Sequence, residues 1–216
     1  VSVLLNDGGG TFSVTNVPCG SGPRAIVIAE LSGDEALDFA VASHDSRRVD
    51  VFRNLGAGSF TSLVNLSMAN KPEGLVAADL NSDGRTDLAT GSDENNVGFM
   101  TIFLASGPGT FGAGTNFLVD AMSTDFVAAA DFDADGDVDL ASVSKLSSTL
   151  SVLPNQGAGT FAPALHFGIG LGPEHVAAAT LDANGSLDLV VTNRNSGNVS
   201  VLLNQGTAGG STYCVG

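Results

Sequence analysis

Apolar residues occur along the chain in short runs separated by glycine-rich and acidic turns. The run Leu75–Ala78 is continuously apolar and small, which is typical of a strand buried on both faces. The run Val199–Asn204 alternates apolar and polar residues, as a strand with one buried face does. No window carries the period of a long helix. The pattern therefore predicts an all-β protein.

Two signals recur about every fifty residues, a spacing typical of propeller blades with four short strands each. A Gly-Thr/Ser-Phe turn places phenylalanines at 12, 60, 111 and 161, with spacings of 48, 51 and 50. A unit of apolar strand, acidic loop and apolar strand recurs at 25–40, 74–89, 126–141 and 175–190. We predict a single β-propeller domain of four-stranded blades over 1–216, with four repeats visible and both ends falling mid-blade. The repeats run roughly over 1–23 (partial), 24–71, 72–123, 124–172 and 173–216.

The ends of the chain leave three arrangements open. The two ends share a blade and close a four-bladed ring, the chain is part of a larger ring, or its open strand edges pair between molecules. Cys19 and Cys214 lie one near each end. We predict a disulfide between them, within a chain or between chains.

Charge narrows the classes of partner. The chain has 23 acidic and 8 basic residues, a formal net charge of −15. A nucleic-acid partner requires a basic face, and an anionic membrane surface attracts basic segments, so neither is expected. No apolar run approaches the ~20 residues of a membrane helix, so membrane insertion is not expected. The acidic excess favours cations.

The acidic loops align position by position at 30–38, 79–87, 131–139 and 180–188. Calcium takes about 6–8 oxygen ligands. Oxygen-bearing side chains at positions 1, 3, 5 and 9 can converge on one ion, position 7 can offer its carbonyl, and a glycine at position 6 allows a sharp turn. The flanking strands and the absence of a glutamate at position 12 exclude an EF-hand. The alternative is a set of acidic turns, but five carboxylates in residues 131–139 repel one another without a cation.

The Asp-x-[Asp/Asn]-x-[Asp/Asn]-Gly-x-x-Asp loops, together with segments such as Asn155–Phe161, resemble the FG-GAP/VCBS repeat family, which includes the propellers of integrin α-subunits. The resemblance covers almost the whole chain and implies a propeller with up to four calcium ions, bound most strongly at 131–139 and 79–87. The ligands that it implies are Asp131, Asp133, Asp135, Asp137 and Asp139; Asp79, Asn81, Asp83, Arg85 and Asp87; Thr180, Asp182, Asn184, Ser186 and Asp188; and Glu30, Ser32, Asp34, Ala36 and Asp38. The position-7 residues of these sets act through their carbonyls. Loop 180–188 has only two carboxylates and loop 30–38 has Glu35 in place of the glycine, so weaker binding is expected there.

Other motifs do not indicate an enzyme. Residues 107–112 match Gly-x-Gly-x-x-Gly, but no helix follows, and the three histidines have no metal-like spacing. The resemblance implies a calcium-stabilised extracellular or cell-surface propeller for adhesion to, or recognition of, a protein or surface ligand. The alternatives are a subunit of an extracellular filament that self-associates head to tail, and a glycan-binding lectin, although aromatic platforms for sugars are scarce.

Overall fold

The computed structural model describes residues 1–94, 97–120, 122–206 and 213–215, and this part of the chain is built from β-strands and turns. The strands are β1 (Ser2–Asn6), β2 (Phe12–Asn16), β3 (Pro23–Ala29), β4 (Asp38–Ser43), β5 (Arg48–Gly56), β6 (Ser59–Ser67), β7 (Lys71–Ala78), β8 (Asp87–Glu94), β9 (Val97–Phe103), β10 (Ala105–Gly107), β11 (Thr110–Phe111), β12 (Thr115–Asp120), β13 (Phe126–Ala130), β14 (Asp139–Ser144), β15 (Thr149–Leu153), β16 (Leu165–Gly168), β17 (Pro173–Ala179), β18 (Asp188–Asn193), β19 (Asn198–Asn204) and β20 (Tyr213–Val215). The all-β prediction is confirmed.

Four antiparallel sheets of four strands follow one another along the chain. Sheet 1 is β3-β4-β5-β6, sheet 2 is β7-β8-β9-β12, sheet 3 is β13-β14-β15-β16 and sheet 4 is β17-β18-β19-β20. A small hairpin of β10 and β11 is inserted between the third and fourth strands of sheet 2. The strands β1 and β2 form a separate N-terminal hairpin.

The C-terminal end corrects one prediction. Residues Tyr213–Val215 pair with β19 as the fourth strand of sheet 4, so the expectation that the last sheet lacks its fourth strand is wrong. The N-terminal hairpin and sheet 4 are separate sheets, so the arrangement in which the two ends share one sheet is not present. The physical reason is that β20 already occupies the outer edge of β19. Residues 213–215 are too few, and follow a segment too rich in glycine, for the sequence pattern to predict a strand there.

Successive sheets pack face to face around three apolar cores. Between sheets 1 and 2 the core contains Ala40, Ala42, Val49, Val51, Leu75, Leu88 and Phe103. Between sheets 2 and 3 it contains Ala89, Met100, Ile102, Val127, Leu140 and Leu153. Between sheets 3 and 4 it contains Ala141, Val143, Leu150, Val152, Val176, Leu189 and Leu202. The N-terminal hairpin packs in the same way on Phe39, Val41 and Phe52 of sheet 1.

Burial differs between the first and second strands of the sheets. The second strands β4 and β14 are buried at every residue. The first strands lie next to one another, since β3 contacts β7, β7 contacts β13 and β13 contacts β17. They are less buried than their apolar composition predicts, and Ile26 and Ile28 of β3 are exposed. A strand buried on both faces needs a sheet on each side, and no described strand covers this part of β3.

Cys19 lies half-buried near the N-terminal hairpin and forms no disulfide with another described residue. The side chain of its predicted partner, Cys214, lies outside the described residues, so the disulfide stays a prediction. No helix in the described part of the chain is long and apolar enough to cross a membrane.

Candidate metal centre

Each acidic loop connects the first strand of a sheet to its second strand. Loop 1 is 30–38, loop 2 is 79–87, loop 3 is 131–139 and loop 4 is 180–188, and the aspartate that closes each loop is the first residue of the second strand. These closing aspartates, Asp38, Asp87, Asp139 and Asp188, have no solvent-exposed surface. The four loops thus lie at the same end of their sheets.

The sharp turn predicted at position 6 is present in all four loops. Gly84, Gly136 and Gly185 have φ angles of 82°, 99° and 82°, in the left-handed region that glycine tolerates. Glu35 stands at the same position of loop 1 and adopts a φ of 67°. Loop 1 therefore has the backbone turn of the other loops although it lacks the glycine.

Position 5 holds the turn in all four loops. Its side-chain oxygen accepts a hydrogen bond from the position-7 amide, which is the bond of an Asx turn. The four bonds are Ala36 N to Asp34 (3.0 Å), Arg85 N to Asp83 (2.9 Å), Asp137 N to Asp135 (2.9 Å) and Ser186 N to Asn184 (2.7 Å). These bonds explain why aspartate or asparagine recurs at position 5.

Loop 3 gathers carboxylates most densely. Carboxylate oxygens of Asp131, Asp133 and Asp139 lie within 4.8 Å of one another. The carboxylate of Asp131 also accepts the backbone amides of Asp135 and Gly136 at 3.2 and 3.1 Å, which fixes its orientation. Among the described residues, no lysine or arginine forms an ion pair with these carboxylates. A hard cation fits this cluster because the donor atoms are all oxygens and their charge is uncompensated.

The pKa values of two carboxyl groups in loop 3 are raised. Burial raises the pKa of Asp139 to about 6; the nearby charges of Asp133 and Asp135 act in the same direction, against hydrogen bonds from two backbone amides. Burial also raises the pKa of Asp133, and the charge of Asp135 adds to the effect. Both pKa shifts come first from burial, and neighbouring negative charges add to them; a bound cation would favour the ionised forms.

Loop 1 forms a second cluster, in which carboxylate oxygens of Glu30, Asp34 and Asp38 lie within 4.8 Å of one another. Glu30 accepts the backbone amides of Ser32 and Asp34 at 3.0 and 3.1 Å. The guanidinium of Arg53 lies 2.9 Å from Asp34. The Ala36 amide and this arginine hold the pKa of Asp34 below its usual range. Loop 1, for which the sequence predicts weak binding, thus brings three acidic ligands together.

Loop 2 is arranged differently. The carboxylates of Asp79, Asp83 and Asp87 do not form a cluster of the kind seen in loops 1 and 3. Asp79 accepts the amides of Asp83 and Gly84 at 3.2 and 2.8 Å, and Asp83 pairs with the guanidinium of Arg85 at 3.3 Å. Arg85 is the position-7 residue, and only its carbonyl was predicted to act as a ligand. Its guanidinium partly neutralises the negative charge of this loop.

Loop 4, one of the two loops for which weaker binding is expected, has the fewest carboxylates of the four. Thr180 and Asp182 are exposed, and the amide group of Asn184 donates to the Asn204 carbonyl at 2.6 Å. Ser186 contributes its backbone amide to the turn. Asp188 is the one buried carboxylate of the loop.

The closing aspartates have a structural role that the sequence analysis missed. One carboxylate oxygen accepts the amide of loop position 2, and the other accepts an amide at or just beyond the end of the third strand. For Asp139 these donors are Phe132 and Asn155, at 2.8 and 2.7 Å. The pairs for the other three are Leu31 and Asn54 to Asp38, Leu80 and Ala105 to Asp87, and Leu181 and Asn204 to Asp188. Each closing aspartate therefore ties its loop to the third strand, whether or not it also binds a metal.

Comparisons with known proteins agree with this architecture. A profile of the FG-GAP-like repeat matches residues 31–90, 79–142 and 131–191, which together span well over half of the chain. A search of curated proteins finds no match.

Among solved structures, BBS1N in complex with ARL6DN, soaked with lead, is similar with a TM-score of 0.56 at 11% identity. The match covers 91% of this chain and 57% of that chain, so the present chain spans little more than half of its length. At this identity the likeness concerns the fold alone. The PQQ-bound aldose sugar dehydrogenase from Streptomyces coelicolor matches with a TM-score of 0.38 at 12% identity, over 90% of this chain and 81% of that chain, which is too low a score to support an argument. On the three successive repeat matches, the chain belongs to the FG-GAP-like repeat family.

Proposed function

We propose that this chain is a calcium-braced module of propeller type, located outside the cell or at its surface, that recognises a protein ligand and has no catalytic activity. The observation that carries the calcium part is the cluster of Asp131, Asp133 and Asp139, whose oxygens lie within 4.8 Å of one another without a basic partner among the described residues. A bound calcium ion would add the positive charge that this cluster lacks. Glu30, Asp34 and Asp38 would hold a second ion.

Two of the proposed calcium ligands already stabilise loop 3 through hydrogen bonds to backbone amides. Asp131 orients the loop through two backbone amides, and Asp139 joins it to the third strand. A cation held by the same carboxylates would therefore connect the first, second and third strands of one sheet. Calcium would brace the sheets while leaving the opposite end of each sheet free for recognition.

The end of the sheets opposite the acidic loops has the features of a recognition surface. Six of the eight lysine and arginine residues lie there, at strand starts and in the loops between second and third strands: Arg24, Arg47, Arg48, Lys71, Lys145 and Arg194. Acidic residues are interspersed with them, as in the pairs Arg24–Glu73 (3.8 Å) and Lys145–Glu174 (3.4 Å). Loops that carry both signs of charge suit a polar protein surface.

A protein ligand is favoured over a glycan. Sugar-binding sites generally use exposed aromatic rings as stacking platforms, and the chain has no tryptophan and one tyrosine. That tyrosine, Tyr213, is 7% exposed and contacts the ring of Phe167. The similarity to BBS1N, solved in complex with ARL6DN, supports a protein partner as a proposal for this chain.

Two measurements test the proposal. Calorimetric titration of chelator-treated protein with calcium chloride is expected to give saturable binding and a raised melting temperature, and no heat with no change in melting would refute the calcium part. Fluorescently labelled protein is then added to cells pretreated with protease or with glycosidases. Loss of binding after protease alone supports a protein ligand, whereas loss after glycosidases alone supports the lectin.

A second candidate role is that of a subunit in an extracellular assembly. It is favoured by the outer face of sheet 4, where Val199 is 55% exposed and Val190 and Val201 are half-buried. Exposed apolar faces of this kind mark interaction surfaces in soluble proteins.

A further inference from the structure

Loop 4 differs from the other acidic loops at position 1, where it has Thr180 instead of a carboxylate. In loops 1, 2 and 3 the carboxylate at position 1 accepts the backbone amide of position 5, at 3.1, 3.2 and 3.2 Å. In loop 4 the position-5 amide, that of Asn184, donates to the position-3 carboxylate of Asp182 at 2.9 Å. Loop 4 therefore lacks the hydrogen bonds that gather the other three loops around position 1.

The backbone of loop 4 differs as well. Position 4 is left-handed in the first three loops, where Gly33, Ser82 and Ala134 have φ angles of 79°, 58° and 61°. Ala183, the position-4 residue of loop 4, does not have a positive φ. Loop 4 thus keeps the turn at position 6 but not the second left-handed residue, so its first five positions do not follow the same course as those of loops 1 to 3.

Hydrogen bonds fix the orientation of the Asn184 side chain. Its Oδ1 accepts the backbone amide of Ser186 at 2.7 Å, as Oδ1 of the position-5 aspartate does in the other three loops. The second terminal atom of those aspartates is an oxygen, whereas in Asn184 it is the nitrogen Nδ2. An amide nitrogen donates hydrogen bonds, and calcium takes oxygen ligands. Position 5 of loop 4 therefore has no second oxygen to offer an ion.

The Nδ2 atom joins parts of sheet 4 that are far apart in the chain. It donates to the carbonyl of Asn204 at 2.6 Å and to the carboxylate of Asp182 at 3.3 Å. Asn204 is the last residue of β19, the third strand of the sheet, and is 2% exposed. Asn184 thus connects position 3 of its loop to the end of the third strand.

Loop 4 also has little negative charge to neutralise. It has two carboxylates, whereas loop 3 has five. Both oxygens of Asp182 accept hydrogen bonds from Asn184, and those of Asp188 accept the backbone amides of Leu181 and Asn204. Each carboxylate oxygen of loop 4 therefore has a donor from the protein, and the loop contains no group of three converging carboxylates like that of loop 3 among the described residues.

We infer that loop 4 binds no calcium ion and that the amide group of Asn184 takes the place of the ion. The ligand set that the family resemblance implies at 180–188 does not fit this geometry. Sheet 4 therefore keeps its acidic loop closed at calcium concentrations that leave loops 1 and 3 unfilled. The contrast with loops 1 and 3 rests on the proposed function, but the bond from Asn184 to the third strand does not depend on calcium.

Matched substitutions at loop position 3 test the absence of an ion. Calorimetric titration of chelator-treated protein with calcium chloride is expected to give the same stoichiometry and affinity for Asp182→Asn as for the wild type. Asp133→Asn, the same substitution at the same position of loop 3, should remove or weaken one site. Asp182→Asn protein that binds fewer ions than the wild type, or binds them more weakly, would overturn the inference.

Melting in excess chelator tests the role of the amide. Asn184→Asp keeps the shape of the side chain but replaces the donor with an oxygen that faces the carbonyl of Asn204, so the melting temperature should fall by roughly 2–6 °C. Asn195→Asp is the matched control, because it adds the same charge at an exposed position between β18 and β19, and it should melt like the wild type.

The melting experiment separates this inference from the proposed function. Asn184→Asp protein that melts in chelator like the wild type would overturn the inference even if loops 1 and 3 bind calcium. A wild-type titration without heat would refute the calcium part of the proposed function, and the melting temperatures of Asn184→Asp and Asn195→Asp would still decide whether the amide braces sheet 4.

Discussion

The side-chain amide of Asn155, just beyond the third strand of sheet 3, donates a hydrogen bond of 2.8 Å to the carbonyl of Leu80 in loop 2 of the neighbouring sheet. The same amide donates to the carbonyl of Val138 in its own loop at 2.9 Å. Asn155 is 2% exposed. One buried side chain thus satisfies a carbonyl from each of two acidic loops and holds the loops in register.

The asparagine hydrogen bond between neighbouring acidic loops occurs again in sheet 4, and in sheet 2 a backbone hydrogen bond replaces it. Asn204 of sheet 4 donates to the carbonyl of Phe132 in loop 3 at 2.7 Å. In sheet 2 the equivalent position is Ala105, which has no amide group to donate. There the backbone amide of Gly109, in the inserted hairpin, donates to the carbonyl of Leu31 in loop 1 at 3.1 Å. A backbone amide of the inserted hairpin therefore makes the hydrogen bond to the neighbouring loop that the side chain of Ala105 cannot make.

Replacing Asn155 with alanine should destabilise the protein strongly. Two buried carbonyls would lose their donor, so we expect the free energy of unfolding to fall by about 2–3 kcal/mol. Urea-induced unfolding followed by circular dichroism measures the change.

Asn54 is the matched control for this substitution. It is half-exposed and donates only to the carbonyl of Leu37 in its own loop. Asn54→Ala should therefore cost about 1 kcal/mol or less. Equal losses of unfolding free energy in the two variants would show that the hydrogen bond between sheets stabilises the protein no more than a bond within one loop does.

The sequence period predicts the four sheets and places the acidic loops correctly between first and second strands, because strand pattern and loop chemistry are local properties. The hydrogen bonds of Asn155 and Asn204 to the neighbouring loops are not predicted by the sequence, although both asparagines recur at the same position of the repeat. The acceptor of Asn155 lies 75 residues away in the chain, and no local pattern reports such a contact. The exposure of Ile26 has a similar origin, since an apolar strand is buried only where a neighbouring sheet covers it.

Glu35 offers a test of the turn at loop position 6. A non-glycine residue at a φ of 67° carries backbone strain, so Glu35→Gly should stabilise the protein by about 0.5–1 kcal/mol. Thermal unfolding in excess chelator measures this change without any contribution from calcium. Glu35→Gln controls for the lost charge and should be nearly neutral.

Gly136 gives the converse substitution in loop 3. An added Cβ would meet no atom within 4 Å, so Gly136→Ala tests the backbone alone. At a φ of 99° we expect a loss of about 1–3 kcal/mol. An unchanged Gly136→Ala protein, or a destabilised Glu35→Gly protein, would contradict the requirement for a left-handed turn.

Calcium stoichiometry distinguishes the loops. Loops 1 and 3 bring three carboxylates together, so Asp34→Asn and Asp133→Asn should each remove or weaken one site in a calorimetric titration. Asp45→Asn is the control, because Asp45 lies at the opposite end of sheet 1, beside His44. If Asp34→Asn left the titration unchanged, the convergence of carboxylates in loop 1 would not reflect calcium binding.

The buried carboxylates predict opposite pH trends with and without calcium. The folded-state pKa of Asp139, about 6, lies above the value of roughly 3.9 for an unfolded aspartate. Burial also raises the pKa values of Asp133 and Asp87. Folding thus favours the protonated forms, and without calcium the free energy of unfolding should fall as pH rises through about 6.

Calcium requires the ionised carboxylates, so protons compete with it. The rise in melting temperature on adding calcium should therefore be larger at about pH 7.5 than at about pH 5, while in chelator the melting temperature should be higher at the lower pH. Carboxylates whose pKa is lowered, such as Asp34 and Asp83, stay ionised in both states over most of this window and do not contribute there. Calorimetric scans at the two pH values, each with calcium and with chelator, measure both trends. Parallel trends under the two conditions would mean that the loop 3 carboxylates do not bind the added ion.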